Sequence, residues 1–158
     1  MALTRAFQNS IKYKQAAKPV VINGAMDVAQ RGTTVTGLGD GDEGYVTVDR
    51  IRHTLDAGAG RFTSKQTSVT DLPGFANCLE LDCTTADTSI AADESFHLDY
   101  RLEGADCQRF KKGYSDAEYI SVGFYAKADA AITYTAGFID TDNSRQIRQQ
   151  FTTGTDWT

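Results

Sequence analysis

Histidines, serines and carboxylates are the side chains that could do chemistry in this 158-residue chain, but their spacing forms no recognisable catalytic set. The sequence contains no GxSxG, HExxH or glycine-rich phosphate loop. His97, one of two histidines, alternates with apolar residues and is predicted to lie on a strand surface. We therefore predict a protein that is not an enzyme and that has no catalytic residues and no cofactor.

The acidic run of Asp40, Asp42 and Glu43 is the one segment that suggests a metal ion. Calcium prefers several oxygen ligands on a flexible loop, and these carboxylates could supply some of them. The run lacks the roughly twelve-residue spacing of a calcium-binding loop. It is better explained as an acidic turn, so no metal site is predicted.

A second polar set lies within or beside apolar segments and comprises Gln30, Arg31, Asp49, Arg50 and Glu103. A charge next to a protein core is tolerated only when it is paired. We interpret these residues as one structural network of ion pairs, and a binding role for the same residues is the alternative.

Tyrosines on one alternating segment are candidates for contact with a sugar. The segment Glu118–Lys127 has the period of two that is typical of a half-buried strand. The pattern predicts a core row of Ile120, Val122 and Phe124 and places Tyr119 and Tyr125 on the opposite face. Exposed aromatic rings could stack on a glycan. The alternative is that both tyrosines pack against a second sheet or a neighbouring subunit.

The elements that would position these residues are predicted to be strands. The predicted strands are Val20–Ile22, Met26–Gln30, Tyr45–Arg52, Arg61–Val69, Ala76–Thr84, Ser95–Glu103, Glu118–Lys127, Ile132–Phe138 and Ile147–Thr153. Clusters of Gly, Asp and Asn separate them, and no helical crossover intervenes. This arrangement predicts an all-β protein, built as an antiparallel sandwich or barrel.

The first residues differ in charge from the rest of the chain. Residues 1–19 contain Arg5, Lys12, Lys14 and Lys18 and no acidic residue, whereas the whole chain has a net charge of −5. Leu3, Phe7 and Ile11 recur every four residues, which is compatible with a short amphipathic helix. We predict that residues 1–19 form a basic arm that docks onto an acidic neighbour and that residues 20–158 form the β domain.

Bulk properties argue against two classes of partner. No apolar run approaches the ~20 residues that a membrane span requires. The net charge of −5 disfavours nucleic acid. We therefore expect neither a membrane nor a nucleic acid among the partners.

Four segments of the chain resemble a group of bacteriophage virion proteins, either tail-fibre-like or capsid-associated. They are VVINGAMDVAQRG (20–32), YVTVDRI (45–51), LDYRLEGADCQRF (98–110) and EYISVGFYAKAD (118–129), in that order. The domain of these proteins resembles carbohydrate-binding-module jelly rolls. The chain carries Ile51 and Tyr125 where that group tends to carry tryptophan.

The resemblance implies an antiparallel jelly-roll β-sandwich in a structural protein of the virion. The implied function is that of a tail fibre, or of a component that attaches one, in host adsorption. Its partners would be other virion proteins, further copies in a homotrimer, and a host surface glycan. A capsid decoration protein and a carbohydrate-binding module are the alternatives. The resemblance also implies that the natural chain continues past Thr158.

Overall fold

The structure, a computed structural model, describes residues 20–56 and 58–158, and almost all of its regular elements are strands. The chain divides into two compact units, of which the first ends at Glu118 and the second spans Tyr119–Thr158. The prediction of an all-β protein is therefore confirmed. The predicted basic arm, residues 1–19, lies outside the described residues.

The first unit contains two antiparallel sheets of three strands each. One sheet has the order β1–β4–β5, formed by Thr34–Leu38, Arg61–Ser68 and Asn77–Thr85. The other has the order β2–β3–β6, formed by Glu43–Gly44, Ile51–Asp56 and Ser95–Tyr100. The predicted strands over residues 61–69, 76–84 and 95–103 thus correspond to β4, β5 and β6.

A single short α-helix, α1, is found in the described residues. It spans Gly104–Cys107 and continues into a 3-10 turn at Gln108–Phe110. No helix in that part of the chain is long and apolar enough to cross a membrane.

The two sheets of the first unit meet through side chains of β3, β4 and β6. His53 on β3 and Ser64 on β4 are fully buried, with 3.0 Å between His53 Nε2 and Ser64 Oγ. The rings of Phe62 and Phe96 lie 4.8 Å apart between their centroids. The core therefore combines a polar contact with an aromatic one.

The prediction of a strand over Tyr45–Arg52 is wrong for most of this segment, because β3 begins only at Ile51. Thr47 and its neighbour Val48 are both fully buried, so side chains here do not alternate between a core face and an exposed face. Arg50 has φ +75°, a left-handed conformation that interrupts an extended chain. The segment before β3 is thus a buried connection rather than a strand.

Two further differences between the predicted and the observed strands involve residues with positive φ. The strand predicted at Met26–Gln30 is absent, because Asn23 and Met26 adopt φ of +60° and +59° and form a turn. Strand β1 was not predicted, since its sequence TVTGL has a weak pattern and a register shift between Val35 and Leu38. Gly37, inside that irregularity, has φ +74°, which glycine adopts without strain.

The second unit contains one antiparallel hairpin of β7, Thr133–Asp140, and β8, Arg145–Thr152. Both strands agree with the predicted segments near residues 132–138 and 147–153. A Cβ atom at Gly137 would collide with the backbone oxygen of Ile147, so only glycine permits this approach.

The segment Glu118–Lys127, predicted to be a core strand, is not a strand in the structure. The side chains of Val122 and Phe124 remain 58% and 51% exposed, so the predicted core row is wrong. Ala126 exchanges two backbone hydrogen bonds with Thr158, but this pairing does not extend along the segment. A hairpin of two strands is too small to bury an alternating third segment completely.

Replacing Phe124 with Ala should therefore lower the free energy of unfolding of the second unit by about 1–2 kcal/mol. This is less than the ~3–5 kcal/mol expected at a fully buried site. Its remaining contribution is the edge-to-face contact with Phe151, at 5.0 Å between centroids. Urea unfolding followed by the amide signals of β7 and β8 would measure it. The control is Tyr119→Ala, at a fully exposed side chain, which should leave the free energy of unfolding unchanged. A loss above ~3 kcal/mol for Phe124→Ala would show that Phe124 belongs to the core.

His53 should make the first unit sensitive to mild acid. Burial lowers the pKa of His53 from its ordinary value of 6.5. The unfolded chain therefore binds a proton near pH 6.5, whereas the folded chain does so only at a lower pH. Stability should be greatest above this pH and fall as the pH drops below it.

The urea midpoint should decrease between pH 7.5 and pH 5.5 and change less in a His53→Leu variant. NMR titration of the His53 ring in the native protein provides a second measurement, which does not require that the variant fold. A native ring that becomes protonated at pH 6.5 would contradict this prediction.

Candidate functional site

Four of the five residues of the predicted polar network line one open cleft in the first unit. Gln30, Arg31, Asp49 and Arg50 form its polar lining, and the cleft has a volume of about 460 Å³. The rest of the lining is formed by Ile22, Asn23, Val28 and Tyr45. The fifth residue of the network, Glu103, lies outside this lining but contacts Arg50.

The network consists of two ion pairs. Arg31 Nη1 lies 3.6 Å from Asp49 Oδ1, and Arg50 Nη1 lies 3.1 Å from Glu103 Oε1. Gln30 joins the first pair through its backbone N–H, which donates to Asp49 Oδ1 at 3.2 Å. All four charged side chains keep some exposure, so each pair contributes little to stability. Stability alone therefore does not explain these residues, and a binding role is the alternative.

Asn23 holds the loop that forms one wall of the cleft. Its Nδ2 donates to the carbonyl oxygens of Val28 and Asp49, both at 2.9 Å, and its Oδ1 accepts the Val28 N–H at 2.9 Å. The Asp49 N–H donates in turn to the Val28 carbonyl oxygen at 2.9 Å. Residues 23–28 are thus fixed directly to the segment that carries Asp49 and Arg50.

Arg31 presents its guanidinium group at the open side of the cleft. The group lies over the ring of Tyr45, 5.7 Å from its centroid, and the side chain is 57% exposed. Asp49 is beyond hydrogen-bond distance, and among the described residues Arg31 donates no hydrogen bond. Tyr45 and Asp49 therefore orient a guanidinium group whose N–H donors remain accessible.

Arg50 lines the same cleft and contacts both Tyr100 and Glu103. Its guanidinium group lies 5.6 Å from the centroid of Tyr100, whose hydroxyl oxygen accepts the Ile22 N–H at 2.7 Å. The contact with Tyr100 is the larger cause of the raised pKa of Arg50, and the contact with Glu103 is the next. The guanidinium group therefore stays charged. Glycine would adopt φ +75° without strain, yet this position carries arginine. Strained backbone of this kind is typical of functional sites.

The arrangement suits an anion. The lining contains two guanidinium groups and one carboxylate, in a chain whose overall charge is −5. Guanidinium groups recognise carboxylates and phosphates through pairs of N–H donors. The cleft therefore offers guanidinium donors to a ligand, and Asp49 and Glu103 balance the charge of these groups.

The buried pair of His53 and Ser64 has the composition of a nucleophile and its base, but its surroundings suit packing. Both side chains are fully buried, and the Ser64 hydroxyl also contacts Thr47 Oγ1 at 2.8 Å. Among the described residues, no partner orients His53 Nδ1. A substrate could not reach Ser64 without opening the core.

The remaining predicted residues lie elsewhere. In the acidic turn, Asp42 Oδ2 accepts the Gly39 N–H at 2.8 Å. Across residues 20–56 and 58–158, no three His, Cys, Asp or Glu residues are grouped so that they could hold a metal ion. Tyr119 and Tyr125 belong to the second unit, are both exposed, and do not line the cleft.

Sequence reasoning missed the roles of Asn23 and Tyr45 in the cleft, the contact of Tyr100 with Arg50, and one charged cluster. Asn23 belongs to an Asn-Gly pair, which by itself indicates only a turn or bulge, and no local pattern links Tyr45 or Tyr100 to an arginine. The cluster centres on Arg52, which contacts Glu43, Thr54 and Asp99 on the β2–β3–β6 sheet. Once strands are paired, the cross-strand register of Arg52 with Asp99 indicates it.

Comparison of the chain with protein-family models, with curated proteins and with solved structures gives no match. The resemblance to bacteriophage virion proteins therefore stays a prediction.

Replacing Asn23 with Gly should lower the free energy of unfolding of the first unit by about 1–3 kcal/mol, since three hydrogen bonds are lost. Glycine retains the positive φ, so the change removes the side chain without straining the backbone. The amide signals of Val28, Asp49 and Arg50 should shift as the cleft wall loosens. Asn143→Gly, at an exposed turn of the second unit, is the matched control. Equal stability of the Asn23 variant and the wild type would show that the wall does not depend on this side chain.

Proposed function

We propose that this chain is a structural virion protein of a tailed bacteriophage, acting as a tail fibre or fibre-attachment component in host adsorption. Four segments in the order of such proteins support the proposal, and the all-β architecture agrees with it. In this proposal the two sheets of the first unit are the layers of a jelly-roll β-sandwich. The basic arm would dock onto another virion protein.

The observation that carries an assembly role is the largely exposed apolar face of the hairpin β7–β8. Because cross-strand partners point to the same side, Tyr134, Phe138, Ile147 and Phe151 share one face. Of these, Ile147 is 71% exposed, and Tyr134 and Phe138 are exposed as well. Contiguous exposed apolar residues are typical of a surface that a partner covers.

A second copy of this chain is the partner that we propose for this face. The opposite face carries polar partners such as Thr135 with Gln150 and Gly137 with Arg148, so the hairpin is amphipathic. Tyr119–Thr158 contains three basic and four acidic residues. Because this balance is nearly neutral, electrostatic repulsion between two copies of the unit is small. The sheet has only two strands, so each keeps an unpaired edge within the described residues. A homotrimer is the assembly that we propose.

Replacing Ile147 with Gln should dissociate the assembly without unfolding the unit, because the side chain is largely exposed. Sedimentation velocity should give a trimer for the wild type and a smaller species for the variant. The control is Ile139→Gln, since Ile139 is 58% exposed on the opposite face of the same hairpin and pairs with Gln146. A monomeric wild type, or equal effects of the two variants, would rule out this interface.

The position in the particle tests the virion role separately. Quantitative mass spectrometry of purified particles should find a few copies, and labelling by electron microscopy should place them at the tail. Hundreds of copies over the shell would indicate a capsid decoration protein instead. Absence from the particle would contradict both.

A further inference from the structure

We infer that the cleft between Arg31 and Arg50 binds a carboxylated sugar, with the guanidinium groups contacting the carboxylate. The biological meaning, recognition of an acidic glycan during adsorption, rests on the proposed function. The binding itself rests only on the cleft.

The charge of the lining favours a monoanion. Asp49 in the lining and Glu103, which contacts Arg50, balance the charge of the two arginines, so a ligand brings its own negative charge close to two carboxylates. A phosphate monoester carries about −1.5 to −2 at neutral pH. Asp49 lies within the lining and would repel the more highly charged ligand more strongly.

The donors of both arginines are oriented before a ligand arrives. The guanidinium groups lie over the rings of Tyr45 and Tyr100, and Asp49 and Glu103 each contact one Nη1 atom. The planar group has five N–H donors, so one contact leaves others for a ligand. Fixing these side chains in advance reduces the entropy lost on binding.

The size and the apolar wall of the cleft favour a ring. A volume of about 460 Å³ is in the lower part of the ~300–1,000 Å³ range of small-molecule sites. This suits a ring-sized group better than an extended acidic peptide. Ile22 and Val28 are exposed in the lining and can contact the C–H face of a sugar, while the exposed Gln30 offers an amide near its hydroxyl groups.

The first experiment titrates the full chain with glucuronate and follows the backbone amides of Arg31, Asp49 and Arg50 by NMR. Three comparison probes separate the features of the ligand: the methyl ester of glucuronate lacks the charge, acetate lacks the ring, and inorganic phosphate replaces the carboxylate. We expect saturable shifts with glucuronate and at least about tenfold weaker binding of each other probe. Equal binding of acetate or phosphate would overturn the assignment to a carboxylated sugar.

Two variants test the named arginines. Arg31→Gln removes the more exposed guanidinium group, and Arg50→Gly removes the other while keeping a backbone conformation that suits glycine. Each should weaken glucuronate binding by about tenfold or more and leave the thermal unfolding midpoint close to that of the wild type. Arg145→Gln, at an exposed arginine of the hairpin, is the matched control and should bind normally. Unchanged binding in both cleft variants would overturn the proposal.

Failure of the cleft assignment can be distinguished from failure of the proposed virion role. A protein that binds glucuronate but is absent from particles retains the cleft assignment and loses the virion role. A protein that assembles into particles but does not bind glucuronate retains the virion role and loses the cleft assignment.

Discussion

The contact between His53 and Ser64 joins the two sheets of the first unit and fixes the elements around it. A polar contact at the centre of a core is costly unless its groups are paired, and Ser64 is paired with both His53 and Thr47. Thr47 can reach Ser64 only if the chain before β3 turns into the core. The buried hydrogen bonds therefore determine the path of a segment that has no strand partners of its own.

That path explains the cleft. Thr47 and Val48 are fully buried, so the next two residues, Asp49 and Arg50, must emerge at the rim of the core. The left-handed conformation of Arg50 then directs the chain into β3. Asn23 fixes the preceding loop against the same point, which places Arg31 beside Asp49. The proposed anion site thus lies where a buried connection becomes a strand.

The two units bury their apolar residues to different degrees. In the first, facing sheets cover Ile51, Leu55 and the central polar pair. In the second, the hairpin has one apolar face, and Phe124 from the preceding segment packs on Phe151. A hairpin of two strands rarely provides enough burial for independent stability. The incomplete burial of this unit is therefore the physical basis of the assembly role that we propose.

The sequence by itself determined the all-β class and most strands, including β4 to β8, because alternation and turn residues are local signals. It also identified the charged residues that need partners, since a charge in an apolar segment is visible without a structure. Only the tertiary structure decided that Thr47 is buried, that Phe124 is half exposed, and that Tyr45 and Tyr100 support two arginines. These outcomes depend on residues distant in the chain: Thr47 is buried where it hydrogen-bonds with Ser64, and Phe124 stays half exposed beside a hairpin of only two strands. Alternation specifies which side chains share a face, but the number of layers that cover that face is a property of the whole fold.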